Sequence, residues 1–354
     1  MRLRWLALAM LTVGLAGAAT PPGDSAVPRY DHIFLIIEEN QSASLVGGAD
    51  APELTRLANT YGVATNYFAV THPSEPNYVA LIGGATFGIL DDDAYYCARR
   101  DTRPYCKLSW SPIYVDHTID EPSIGSQLDA EGLSWKEYNE SLPSPGSLAV
   151  VAPDPSDPNG PLVYASKHSG FMNFAQVQAD PLRAQKIVDF GQLAADEKSN
   201  DLPNLAVIIP NLCNDMHGVD ENAPADCRGT NVHALIQRGD AHAKTIVDAI
   251  MATKTWQSSD RDAIVITFDE DDHEGKEGCC GIDRADLANS GGGRVPTIVI
   301  ANRGPRGLAD PTAYSHYSLL RTMEDAFGIS QHLQNANSPG VVPMVELFQD
   351  ADQR

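Results

Sequence analysis

The chain has 354 residues, with 25 Lys and Arg against 47 Asp and Glu, and a formal net charge of −22. That balance excludes electrostatic capture of nucleic acid or of an anionic membrane surface, and it repels phosphorylated ligands at long range. A phosphate site on such a chain needs local positive charge, and a bound cation is the obvious source.

The N-terminus reads as a secretory signal. Arg2 and Arg4 form a basic start, Trp5 to Val13 an apolar centre, and Ala16-Gly17-Ala18 a small-residue cleavage site. The apolar run is too short to span a bilayer comfortably. No Cys follows the cleavage region, so a lipid anchor is not indicated, and no second long apolar run occurs. The expectation is a leader over residues 1–19, cleaved near Ala18-Ala19, and a secreted or periplasmic protein without a stable membrane anchor. With no Gly/Ser linker and no internal repeat, residues 20–354 are expected to form one large α/β domain. Six Cys in an exported chain suggest disulfides. Pairs 97–106 and 213–227 are expected, each contributing roughly 2–3 kcal/mol by loop closure. Adjacent Cys279 and Cys280 are left between a vicinal bridge, free thiols and exchange. No CxxC occurs, which gives a zinc ribbon no support.

In chain order, His32 to Ile37 is a continuous apolar run, the mark of a strand buried on both faces. Glu38, Glu39 and Asn40 follow it. Asp50-Ala51-Pro52-Glu53 opens a helix with Leu54, Leu57, Ala58 and Tyr61 on one face, stopped by Gly62. Val63 to Val70 reads as extended and leads into Thr71-His72-Pro73-Ser74-Glu75-Pro76-Asn77-Tyr78. A short apolar helix then runs to Gly83-Gly84. Ser74 thus stands where a strand hands over to a helix start. It is either a helix N-cap or a nucleophile facing an anion on the helix end. From about 91 to 160 the pattern weakens into Pro-, Asp- and Ser-rich sequence, with one helix-like piece over Ile124 to Tyr138, read as an insertion over the sheet rim. Leu205 to Ile209 is a strand followed by Asp215 and His217; His233 to Thr253 is a long amphipathic helix. Ala263 to Phe268 is a buried strand followed by Asp269 and Glu270, and Val295 to Ala301 is a fourth strand. His316 lies in the loop before a last helix bearing Leu319, Leu320, Met323 and Phe327. The alternation argues for a largely parallel sheet covered on both faces.

The polar clusters follow the ends of apolar strands, and in an open parallel sheet those ends gather on one edge, where ligands bind. Carboxylates, an amide oxygen and imidazoles suit a divalent cation. Such a cation polarises a phosphoryl oxygen and helps deprotonate a serine. GxSxG, GxxxxGK[ST] and a strand-borne GxGxxG are all absent, so a hydrolase elbow and nucleotide cradles have no support.

HIFLIIEEN, THPSEPNYVALIGG, PNLCNDMHG, ITFDE, GGGR and SHYSLLRTMEDAFG resemble, in order, segments of the bacterial phosphoesterase family. That family includes acid phosphatases and phospholipases C and belongs to the alkaline-phosphatase superfamily. The resemblance runs from about residue 30 to about residue 330. It implies a doubly wound three-layer α/β/α sandwich and a phosphoric-ester hydrolase acting through a phosphoserine on Ser74. It further implies that Glu39, Asn40, Ser74, Asp269 and Glu270 hold a divalent metal, and that Asp215, His217 and His316 complete the site or bind phosphate. Asp215 and His217 stand two apart, a departure from the Asp-x-x-x-His spacing of two-metal members. HPSEPNY looks closer to the acid-phosphatase branch, which implies a small phosphorylated monoester as substrate. The alternatives are a phosphodiesterase or phospholipase C on the same fold, and a non-catalytic metal binder. Calcium, magnesium, manganese, zinc and iron all remain open, as does the oligomeric state.

Other residues keep two readings. Glu38 is a solvated turn acid. Asn40 is a ligand or a turn former. His72 orients a phosphate oxygen or packs, and His168 faces substrate by resemblance to a similar family segment. Asp271, Asp272, His273, Glu274 and Glu277 form a solvated acidic loop or a loose calcium site. His233 and His242 are surface or packing residues. Arg294, after Gly291-Gly292-Gly293, clamps a phosphate or ends a connector.

Overall fold

The computed structural model describes residues 26–353, except 94–95, 98, 103–105, 107–108, 220–222, 260, 273–274 and 282–290. The expected leader lies outside the described residues, as do His273 and Glu274 of the acidic loop.

Twelve strands form among the described residues. β1 (His32–Glu38), β2 (Gly62–Ala64) and β3 (Tyr67–Phe68) precede β4 (Trp135–Asn139), β5 (Val151–Pro153), β6 (Leu162–Ala165) and β7 (Ile187–Val188). β8 (Leu205–Ile209), β9 (Asp262–Phe268), β10 (Thr297–Ala301), β11 (Leu308–Asp310) and β12 (Tyr314–Ser315) follow. Eight of them make the central sheet, in the order β11-β2-β10-β9-β1-β8-β4-β7. β1 pairs in parallel with β8 and β9, and β8 with β4, while β10 runs against both its neighbours. Ile33 to Ile37 on the central strand are buried on both faces, each contributing roughly 1.5–3 kcal/mol. Helices pack over both sides. Pro52–Thr60 lies against Val232–Ala252, while Glu75–Gly83 and Ile124–Glu131 lie against His316–Phe327.

Two expected elements divide. The extended run 63–70 breaks into β2 and β3 around a turn. The helix expected to Tyr138 stops at Glu131, because Gly132 takes the left-handed conformation (φ 71°) that ends a helix. The following Trp135–Asn139, with Trp135 and Tyr138 buried, enters the central sheet as β4. Residues 91–160 are therefore not one rim insertion. They are two excursions on either side of a sheet strand. β7, β11 and the helix Phe190–Ser199 lie outside the sequence expectations. β7 and β11 are two and three residues long, too short to show a period.

All three cysteine pairs are bridged: Cys97–Cys106, Cys213–Cys227 and the vicinal Cys279–Cys280.

Candidate active site

The C-terminal ends of β1, β8 and β9 open on one edge, as parallel pairing requires, and carry Glu39, Asp215 and Asp269 there. Glu39 N–H donates to the Asp215 carbonyl at 2.8 Å, and Asp269 N–H to the Glu38 carbonyl at 3.1 Å, so the strand ends are stitched together.

The Ser74 turn is built by its own motif. Asn77 Oδ1 accepts from Val70 N–H (2.9 Å) and Thr71 N–H (3.1 Å), and its Nδ2 donates to the Thr71 and Pro73 carbonyls (2.8 and 3.1 Å). Gly292 pairs with this approach strand, and a Cβ on it would lie 2.4 Å from the Thr71 carbonyl oxygen. Close approach of two backbones accounts for that glycine.

Ser74 occupies the N-cap position of the helix Glu75–Gly83, yet its side chain makes no cap bond. Pro76 has no N–H to cap, the Asn77 N–H donates to the Ser74 carbonyl at 2.9 Å, and Asp92, from the first excursion, accepts the Glu75 N–H at 3.0 Å. The Ser74 hydroxyl is thereby left to the site: it donates to Glu39 Oε2 at 3.1 Å and lies 3.4 Å from Glu270 Oε1. The Lys167 ammonium stands 3.5 Å from the same oxygen.

Glu39 is the hub. Its Oε1 accepts from Tyr78 O–H (2.9 Å) and lies 3.0 Å from His168 Nε2; its Oε2 accepts from His217 Nδ1 (2.7 Å) and Asn40 Nδ2 (3.3 Å). Burial works to raise this carboxyl, but His168 and Lys167 hold it well below the usual range. Asp269 Oδ1 accepts from Asn40 N–H at 3.0 Å. Burial, with Glu39 and Glu270 alongside, pushes Asp269 well up, and burial with Glu39 does the same to Asp215. Glu38 is fully buried rather than a solvated turn acid, and burial raises it strongly. Its side chain belongs to β1 and faces the opposite way from Glu39.

The structure therefore brings Glu39, Asn40, Ser74, Asp269 and Glu270 together, and it gathers Asp215, His217 and His168 around Glu39. His72 Nδ1 donates to Glu270 Oε2 at 2.6 Å, and its Nε2 lies 3.4 Å from Asp271 Oδ1. Burial lowers its proton affinity, but Glu270 overrides this and the imidazole is shifted up. It holds Glu270 rather than merely packing. His316 is the exception. It is the first residue of the helix His316–Phe327, not a loop residue, and it is fully buried. Its Nε2 donates to the Asp269 carbonyl at 2.7 Å, and its Nδ1 accepts from Tyr67 O–H at 3.1 Å. Burial pushes it down to about 4. Both nitrogens are spent on scaffolding, so His316 props Asp269 instead of facing Ser74.

The donor set fits a divalent cation. Asn40 Oδ1, Asp215 Oδ2 and Asp269 Oδ2 are buried without a hydrogen-bond partner, which is costly unless something else pairs with them. Carboxylate and amide oxygens crowded around one hydroxyl are a hard-cation set, and imidazoles on Glu39 admit a softer metal. Glu39, His168 and His217 form one group with metal-ligand spacing. A second such group, Glu75, Asp91 and His117, was not anticipated. There His117 donates to Glu75 at 2.9 Å and lies 3.3 Å from Asp91, which satisfies the three as an ion-pair relay.

Sequence reasoning missed Lys167, which contacts Ser74, and Asp92, which contacts Lys167 and the Glu75 N–H. Lys167 adjoins His168, which was singled out, but nothing in its spacing distinguishes it from a surface lysine.

The sheet, its strand-end site and its helical cover define an alkaline-phosphatase-like fold. A protein of the alkaline phosphatase superfamily from Vibrio parahaemolyticus superposes with TM-score 0.52 at 10% identity, covering 88% of this chain and 71% of that one. The phosphonate monoester hydrolase of Agrobacterium radiobacter gives TM-score 0.50 at 15% identity, covering 90% and 77%. More particularly, a model of the Phosphoesterase family matches residues 39–330, and the chain belongs to that family of phosphoester hydrolases. Among curated relatives, it is 27% identical to a phosphatidylinositol-3-phosphatase of Mycobacterium tuberculosis over 92% of this chain and 85% of the relative. It is 27% identical to a phosphate-repressible acid phosphatase of Penicillium chrysogenum over 86% of this chain. It spans only 60% of that fungal relative's length.

Proposed function

We propose that the protein is an exported, metal-dependent phosphomonoesterase of the acid phosphatase type, working through a phosphoserine on Ser74. One observation carries this reading: a serine hydroxyl at a helix N-terminus, released from capping, points into a cluster of buried carboxylates. Glu39, Asn40, Ser74, Asp269 and Glu270 would hold the ion. When bound, a divalent ion supplies the positive charge that favours a serine alkoxide and offsets charge on the phosphoryl oxygens. Ser74 Oγ then attacks phosphorus in line, its proton leaving to solvent, and the bond to the leaving alcohol breaks. His217, which is bonded to Glu39 and one-third exposed, is the group placed to protonate that alcohol. Water next attacks phosphorus, releasing inorganic phosphate and restoring Ser74. Asp215 fixes the His217 backbone by accepting its main-chain N–H at 2.8 Å, and His168 and His72 hold Glu39 and Glu270. Export is supported by the leader-like N-terminus and three disulfides; no helix among the described residues is long and apolar enough to cross a membrane.

The test is turnover of an aryl phosphate monoester by wild type and Ser74→Ala, before and after chelation, with calcium, magnesium, manganese, zinc and iron added back singly. Full activity in Ser74→Ala sinks the proposal.

A narrower reading concerns the substrate's apolar part. Most of the exposed large apolar side chains among the described residues sit on the segments that reach Ser74. Leu90, Trp110, Ile113 and Val115 belong to the first excursion, and Val151 and Leu162 to the β5–β6 hairpin that precedes Lys167. An amphiphilic phosphomonoester fits such a rim, in line with the phosphoinositide named for the mycobacterial relative. Loss of phosphoinositide turnover in Trp110→Ser/Ile113→Ser, with aryl phosphate turnover kept, checks it.

A further inference from the structure

We infer that Lys167 is a further catalytic residue, an ammonium held against Ser74 Oγ and the transferring phosphoryl group, and that Asp92 is its positioning residue. The inference rests on the reading of Ser74 as the nucleophile.

Lys167 lies on the short turn Ser166–His168 that follows β6. Among the described residues it is the one Lys or Arg whose charged group reaches Ser74, at 3.5 Å. The side chain is largely buried, and its ammonium donates to Asp92 Oδ2 at 2.9 Å. The other Asp92 oxygen accepts the Glu75 N–H, the first amide of the helix behind Ser74. A single carboxylate therefore caps that helix and fixes the ammonium relative to it. Tyr96, from the same excursion, adds a third tie by donating to the Ser166 carbonyl at 3.0 Å.

The electrostatic need is specific. A phosphomonoester brings a dianion to a site already holding Glu39, Asp215, Asp269 and Glu270, on a chain of net charge −22. A fixed cation at the nucleophile lowers that repulsion and is worth most where charge gathers in the transition state. A phosphodiester brings a single negative charge, so the benefit is smaller. Lys167 keeps its proton throughout, and no bond is made or broken at Nζ. A lysine that merely closed a salt bridge with Asp92 would not discriminate between the two esters.

The experiment uses the full chain as wild type, Lys167→Met, Lys167→Arg, Asp92→Asn and Asp92→Ala. Each is assayed on an aryl phosphomonoester and the matched diester, with inorganic phosphate as product inhibitor and thermal unfolding as the folding control. Lys167→Met is expected to lose ~10²-fold in kcat/KM on the monoester. The loss on the diester should be about tenfold smaller, and phosphate inhibition should weaken about tenfold, the size of one removed charge contact. Lys167→Arg recovers part of the monoester rate. Asp92→Asn keeps an oxygen for the Glu75 amide, so its melting temperature stays near wild type while monoester activity falls in the same sense. Asp92→Ala also loses the cap and melts lower. Equal losses on both esters, unchanged phosphate inhibition in Lys167→Met, or an Asp92→Asn protein indistinguishable from wild type overturns the inference. A wild type inert toward both esters overturns it together with the phosphomonoesterase reading, whereas an active wild type with one of those results overturns it alone.

Discussion

Ser74 and Glu39, 35 residues apart, meet through a 3.1 Å hydrogen bond in which the serine donates. The hydroxyl is available because Pro76, at the second helical position, has no N–H to cap and the Asn77 N–H donates to the Ser74 carbonyl at 2.9 Å. Replacing an N-cap serine by alanine normally costs about 1 kcal/mol. Ser74→Ala is expected to change stability by less than ~0.5 kcal/mol, since no cap bond is lost, and to cut phosphomonoester turnover by at least ~10³-fold, as for other removed nucleophiles. Denaturant unfolding and steady-state kinetics on one preparation check both. A loss of about 1 kcal/mol with activity retained restores the capping role.

Carboxylates crowded at strand ends repel one another unless a cation joins them. Chelation is expected to abolish activity and also to lower the melting temperature, because an ion bound only by the folded state stabilises it by mass action. Glu39→Gln and Asp269→Asn should flatten that metal dependence of melting. Scanning calorimetry with and without chelator measures it, independently of catalysis. An identical melting temperature in both conditions would count against a metal centre.

His316 spends its two nitrogens on Asp269 and Tyr67. A leaving-group acid would shape the pH profile directly, whereas a prop should not. His316→Gln, which retains a donor, is expected to lower kcat/KM by no more than about tenfold, the scale of a supporting-shell change, without altering the form of the profile. His217→Gln is expected to be the more damaging substitution, because His217 is the partly exposed imidazole on Glu39. The reverse ranking would reassign the two.

Cys213–Cys227 closes a loop with a sequence separation of 14, and the Asp215–His217 segment lies inside it. Loop closure of this length contributes ~3 kcal/mol. Cys213→Ser/Cys227→Ser should therefore unfold at distinctly lower denaturant and bind metal more weakly, read by unfolding and by metal titration. Unchanged unfolding would show that the bridge constrains nothing.

Glu324, buried in the helix His316–Phe327, is pushed by burial from an ordinary 4.5 up to about 8. Its Oε1 accepts from Leu333 N–H at 2.8 Å, and Oε2 has no partner. The folded state holds this proton more tightly than the unfolded one. Its contribution is therefore fully present below about pH 4.5 and is lost as pH rises toward 8, by up to ~1.4 kcal/mol per pH unit. Glu324→Gln removes the titration, so its stability relative to wild type should improve from pH 5 to pH 8. A difference that does not move with pH refutes the assignment.

Burial on both faces leaves a continuous apolar run, and parallel strands put their C-terminal ends on one edge. Those two regularities made β1, β8 and β9, and the cluster of Glu39, Asp215, Asp269 and Glu270, legible from the sequence. The same local logic marked Ser74 as a helix start without deciding between cap and nucleophile. Only the tertiary structure shows that the Ser74 side chain makes no cap bond and turns to Glu39 and Glu270, because those carboxylates arrive from strand ends far away in the sequence. The place of Lys167 beside Ser74, the turning of His316 toward Asp269 and the entry of Trp135–Asn139 into the sheet have the same origin. Each depends on which distant backbone lies alongside, and spacing along the chain carries no record of that.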